Sequence, residues 1–155
     1  MEEHVLPFVL PATVALLSSY QLAQFAMKVG KARAKFKVKP PATEGDPGFI
    51  RAFRAHQNSL EFAPIFLTSH TVASIYFHPV AASVVSLVYI YGRHLYFEGY
   101  CHETDERLPG FRLSTKALKA LIAMGITGVS LGALKYYAGI DLKKSAMDAI
   151  SNYWS

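Results

Sequence analysis

Charge is what this sequence has least of. Only 17% of its 155 residues are Asp, Glu, Lys or Arg, where a soluble domain averages roughly 25%. Cysteine is nearly absent too. Cys101 stands alone, which excludes an intrachain disulfide framework and any multi-cysteine metal site. The six histidines lack an i, i+4 pair or an H-E-x-x-H arrangement, so no metal is expected. No Gly-rich phosphate loop and no G-x-S-x-G elbow occurs, and Cys101 has no assignable His or Asp partner for a nucleophilic role. No basic stretch precedes the first apolar run in Met1-Glu2-Glu3-His4, so a cleavable signal is not expected. Disorder and coiled coil are excluded by a 52% hydrophobic composition. A pI of 9.3 and a net charge of +5 suggest a nucleic-acid partner, but a mean hydropathy of +0.21 argues against a soluble one.

The hydrophobic residues lie in blocks. Val5 to Met27 is 23 residues without a charge, and a spanning helix needs about 20. Pro7 and Pro11 fall in its first turns, where a missing N–H costs least. Phe62 to Gly92 is a 31-residue charge-free run broken at His78-Pro79, which predicts two helices. The last block, Ala120 to Leu134, has 15 such residues, with Lys116, Lys119 and Lys135 placed to snorkel. These blocks predict a single all-α integral membrane domain of four transmembrane helices, over about 5–34, 49–77, 79–101 and 112–137. Pro109-Gly110 reads as the turn of a loop before the last span. Residues 141–155 read as an interfacial segment ending in Tyr153-Trp154.

Thirteen of the 16 Lys and Arg flank the first-to-second and third-to-fourth connections. The positive-inside rule makes those connections cytosolic. Topology thus accounts for the basic balance, and no nucleic acid is required.

Two polar stripes need a reason. Arg54, Asn58 and Glu61 are spaced i, i+4, i+7, which puts them within roughly 60° on one helix face. Arg93, Tyr96 and Tyr100 form a second stripe on the third helix. Ionisable groups at membrane depth are expensive, so they face a protein interior or a wet cavity. Structural pairing between helices satisfies that condition as well as a ligand does, and Tyr and Arg near an interface are common anchors. Both stripes lie on the cytosolic side. Converging there with Arg33 and Arg107, they would form a pocket for a small zwitterion, arginines for carboxylates and Glu61 for an ammonium.

The stretch Arg54-Ala55-His56-Gln57-Asn58-Ser59-Leu60-Glu61-Phe62-Ala63-Pro64 resembles the signature of the membrane-associated eicosanoid and glutathione metabolism family, MAPEG. Val29-Gly30-Lys31-Ala32-Arg33, the segment from Tyr89 to Tyr100, and Gly110-Phe111-Arg112-Leu113-Ser114 agree with it. The resemblance runs from about Leu10 to Tyr137. It implies a homotrimer of four-helix subunits in the endoplasmic reticulum membrane or nuclear envelope, with glutathione bound between neighbours on the cytosolic side. By position it implies that Arg33, Arg54, His56, Asn58, Glu61, Arg93, Tyr96 and Tyr100 bind glutathione. Arg107 matches the arginine that stabilises the glutathione thiolate and is the implied catalytic residue.

The implied reaction is transfer of glutathione to lipophilic electrophiles, epoxides such as leukotriene A4 or unsaturated carbonyls, with reduction of lipid hydroperoxides as a companion activity. Ala34, Lys119 and Phe62 depart from members specialised for leukotrienes, which have Arg, Trp and Tyr there, so a broader substrate range is expected. The family also holds a non-catalytic lipid-binding scaffold, the lipoxygenase-activating protein. That branch lacks equivalents of Arg54 and Arg107 and has Asp for Glu61, whereas this chain has all three enzyme-type residues.

Overall fold

A computed structural model describes residues 5–142 and 151 of the chain. The expected interfacial segment 141–155, Tyr153-Trp154 included, lies almost wholly outside the described residues. Those residues form four long helices, with no strand among them: α1 (Val9–Phe36), α2 (Pro47–Tyr76), α3 (Pro79–His102) and α4 (Arg107–Ala138). A 3-10 turn at Leu6–Phe8 leads into α1.

Local chemistry sets the helix ends. Pro7 sits in the 3-10 turn and Pro11 in the first turn of α1. Asp46 caps α2 by accepting from Gly48 N at 2.8 Å, with Pro47 opening the helix, the usual division of labour at an N-terminus. His78 caps α3 through Nδ1, which accepts from Ala81 N at 3.3 Å. The last helix differs from the sequence expectation. It begins at Arg107, and Pro109-Gly110, expected as a loop turn, lie inside its first turn. Proline is tolerated there because the first turn makes no use of its N–H.

Counted with the 3-10 turn, the segment Leu6–Phe36 is long and apolar enough to cross a membrane, as are Pro79–His102 and Arg107–Ala138. At 30 residues α2 has the length, but its first half carries Arg51, Arg54 and Glu61. It packs against all three other helices, and Arg54 and Glu61 stay exposed at one end of that packing. Apolar side chains such as Leu16, Val84, Leu87, Ile126 and Val129 remain exposed on the outer faces, as expected where the solvent is lipid or another subunit.

Two clusters fill the interior. One joins Val14, Phe66, Tyr89, Leu118 and Leu121, with the Phe66 and Tyr89 rings stacked at 4.1 Å. Buried His70 lies beside it and ties three helices, bonding Ser86 Oγ at 2.7 Å and the Pro11 carbonyl at 3.0 Å. Because the carbonyl can only accept, Nε2 carries the proton. The second cluster joins Phe25, Ala55, Tyr96 and Phe97, with Phe25 stacked on Phe97 at 4.0 Å.

The seam between α3 and α4 is built on small residues. A Cβ at Gly110 would collide with the backbone of Leu95 and Tyr96, and one at Gly92 would meet the backbone of Ser114. Contact that close fixes the height of Tyr96 relative to the start of α4.

Candidate functional site

Beside the Tyr96 cluster a fissure of about 150 Å³ opens among α2, α3 and the start of α4. Arg54, Gln57, Asn58, Glu61, Tyr96, Tyr100 and Arg107 line it. The α2 contributors follow from helical arithmetic. At 100° per residue, Gln57, Asn58 and Glu61 lie about −60°, +40° and −20° from Arg54. Tyr96 and Tyr100 are one turn apart on α3, their rings edge to face at 5.7 Å.

The polar groups hold one another. Arg54 Nη1 donates to Gln57 Oε1 at 3.0 Å. Asn58 Nδ2 donates to Glu61 Oε2 at 3.4 Å. Beneath them lies Arg93, only 2% exposed. Its Nη2 donates to Asn58 Oδ1 at 3.1 Å and to Ser59 Oγ at 2.8 Å. That bond orients the Asn58 amide, because an arginine can only donate and therefore selects the amide oxygen. The guanidinium also lies 4.2 Å over the Tyr96 ring and 5.3 Å from that of Phe62, contacts that favour a desolvated cation. Its Nε and Nη1 are buried without a hydrogen-bond partner. Behind the fissure wall there is thus a positive charge with no carboxylate in direct contact among the described residues.

Arg107 sits at the mouth. Its Nη1 donates to the Thr104 carbonyl, lies 3.9 Å from Asp105 Oδ1, and its guanidinium is 5.1 Å over the Tyr100 ring. Two guanidinium groups, those of Arg54 and Arg107, therefore line the fissure with one carboxylate, Glu61, and a third, Arg93, lies behind Asn58. In a partly desolvated site that imbalance favours a ligand with excess negative charge.

Three residues expected at the site do not line this fissure: Arg93, which reaches it only through Asn58, Arg33 and His56. Arg33 donates from Nη1 to the Ala42 carbonyl at 2.7 Å and lies 4.7 Å over the Phe49 ring. His56 is half-buried, about 200° around α2 from Arg54. A larger hollow of about 690 Å³, lined by Thr43, Glu44, Gly45, Ile50, Phe53, Arg54 and Gln57, shares Arg54 and Gln57 with the fissure. Gln57 was not singled out from the sequence, although the i, i+3 spacing from Arg54 was the signal that would have found it. Among the described residues no His, Cys, Asp and Glu group has the arrangement of a metal site.

The arrangement defines a class, a multi-pass membrane helix bundle with a polyionic fissure at one end. The MAPEG family profile matches residues 10–127. Microsomal glutathione S-transferase 2 of Homo sapiens is 47% identical over 136 residues, covering 88% of this chain and 92% of that protein. Leukotriene C4 synthase of Bos taurus is 38% identical over 136 residues, covering 88% of each. An uncharacterized protein of Synechocystis sp. is 33% identical over 77% of this chain and 87% of its own length. The chain belongs to the MAPEG family.

Proposed function

We propose that this protein is a membrane glutathione transferase. The observation that carries the reading is the fissure's charge pattern, with Arg54 and Arg107 lining it beside one carboxylate, Glu61, and buried Arg93 behind Asn58. Glutathione has two carboxylates, one ammonium and a thiol. The arginines suit the carboxylates and the thiolate, Glu61 suits the ammonium, and Tyr96 and Tyr100 offer hydroxyls. The names of the relatives support the same co-substrate.

Only a thiolate attacks, and a free thiol has a pKa of about 8.5. Arg107 at the mouth favours the anion, and each unit of lowering corresponds to about 1.36 kcal/mol. The thiolate sulfur bonds to a carbon of the electrophile. With an epoxide the C–O bond breaks and the alkoxide takes a proton from water; with an unsaturated carbonyl the enolate is protonated instead. Reduction of a lipid hydroperoxide would draw on the same thiolate, with two glutathione molecules oxidised to the disulfide for each hydroperoxide reduced.

A volume of about 150 Å³ is small against the roughly 300–1,000 Å³ of ordinary ligand pockets. This favours completion by a second copy, in a homotrimer whose neighbouring subunits present Arg33 and His56 to each other's fissures. The positive-inside reading of the basic connections supports a site on the cytosolic side, of an endoplasmic reticulum or nuclear-envelope membrane, where the tripeptide would arrive from water and the electrophile from lipid.

Titration of glutathione into the detergent-purified protein, with heat and proton release followed at neutral pH, tests the reading. Saturable binding with proton release is expected. Binding without proton release would remove Arg107 from thiolate formation. No binding at millimolar glutathione would overturn the enzyme and leave the lipid-binding scaffold.

A further inference from the structure

The turn between α3 and α4 concentrates negative charge beside the one arginine that the thiol chemistry needs. Glu103, Asp105 and Glu106 occupy three of its four positions, in a chain whose net charge is +5. Two of these acids are engaged away from the fissure. Glu103 Oε1 accepts from Thr104 N at 2.7 Å, and Glu106 Oε2 meets His102 Nδ1 at 2.8 Å. Asp105 is the acid of this turn that approaches Arg107, with Oδ1 3.9 Å from Nη1. Backbone bonds fix the turn, Glu106 N to Glu103 O at 3.2 Å and Leu108 N to Asp105 O at 3.1 Å.

We propose that Asp105 is a positioning residue that acts through Arg107, offsetting part of its charge and so limiting how much bound glutathione is ionised. The inference rests on the transferase reading above. The charged and titratable groups around Arg107 are Arg54 and Glu61 from α2, Tyr96 and Tyr100 from α3, and the turn's own acids with His102. Of the carboxylates, Glu61 lines the fissure and faces the ligand, whereas Asp105 lies outside the lining. Its side chain is 91% exposed, so the pair adds little to folding. A surface charge at that distance still acts on the potential at the sulfur, and it can be removed without disturbing the wall. The Thr104 carbonyl keeps its bond to Nη1, so the guanidinium stays in place when the carboxylate goes.

Asp105→Asn is therefore expected to lower the apparent pKa of bound glutathione by roughly 0.3–0.5 unit, the Coulomb effect of one charge about 7–10 Å away in a water-like medium. The shift should shrink at high salt, as an exposed charge requires. The experiment follows thiolate ultraviolet absorbance against pH with saturating glutathione, on the full chain in detergent. It compares the wild type, Asp105→Asn, and Asp141→Asn, which makes the same charge change near the far end of α4. A downward, salt-sensitive shift in Asp105→Asn alone, with an unchanged melting midpoint, is the expected result. Coincident curves overturn the proposal. So does an equal shift in Asp141→Asn, which would be a net-charge effect, or a lowered melting midpoint with an unmoved thiol titration, which would mark a structural role. A wild type that ionises no glutathione overturns the transferase reading itself. Wild-type ionisation with an unmoved variant removes only the role of Asp105.

Discussion

Arg107 and Glu61 face the same fissure and are expected to fail differently when removed. On the proposed reading Arg107 sets how much of the bound thiol is ionised, while the tripeptide's carboxylates and ammonium keep their other partners, so Arg107→Ala should lower turnover far more than glutathione affinity. Steady-state kinetics beside direct binding separates the two, and equal losses would make Arg107 a binding residue. Glu61 receives Asn58 Nδ2 and is the only acid in the lining. Glu61→Ala should weaken glutathione binding by roughly 1–3 kcal/mol, and unchanged affinity by calorimetry would remove it from the site. At this scale the sequence was informative wherever one helix supplied several groups. Arg54, Asn58 and Glu61 share a face through helical spacing alone, and so do Tyr96 and Tyr100. The inward packing of Arg93 onto Asn58 and Ser59 was not legible, because it depends on how far α3 sits from α2. The approach of Asp105 to Arg107 was hidden for a similar reason, since it needs the shape of a four-residue turn.

Helices meet here through their smallest residues. Because a Cβ at Gly110 would strike the backbone of Leu95 and Tyr96, Gly110→Ala must push α3 and α4 apart or tilt one of them. Overpacking of this kind costs about 1–3 kcal/mol, and Tyr96 would move with its backbone. A lowered thermal midpoint in detergent together with weaker glutathione binding is expected; a variant with native midpoint and native affinity would show that the seam has slack. The helices themselves were easy to read in the sequence where charge was absent, as in α1 and α3. Reading α4 was harder at its start. Charge at Arg107 and Arg112 and the Pro109-Gly110 pair resemble a loop, yet a first helical turn accommodates proline, and the glycine is there to let another backbone approach. The polar first half of α2 was legible as a stripe, but its packing against three neighbours is something no single-helix pattern contains.

A single chain holds an incomplete site on the proposed reading, and the homotrimer is where it would be completed. Arg33 and the Arg54–Glu61 stripe would then serve one site from two subunits. Co-expression of Arg33→Ala and Arg107→Ala chains tests this directly. Some mixed trimers would contain a fissure with both arginines intact, so activity should exceed that of either variant alone. Activity no higher than the two variants mixed after separate purification would place each site within one chain.

The face of α2 that carries Arg54 and Glu61 does not end at Glu61. Thr68 and Val72 continue it toward the apolar crevice against α4, each within about 20° of Glu61 around the helix. On the proposed reading one surface runs from water into hydrocarbon, and the two reactants are counted in different phases. Glutathione is measured per litre of solution, but the electrophile is measured as a mole fraction of the lipid or detergent. Adding inert detergent at fixed electrophile should therefore slow the reaction by surface dilution while leaving the half-saturating glutathione concentration where it was. Assays in different amounts of detergent become comparable only after that fraction is held constant.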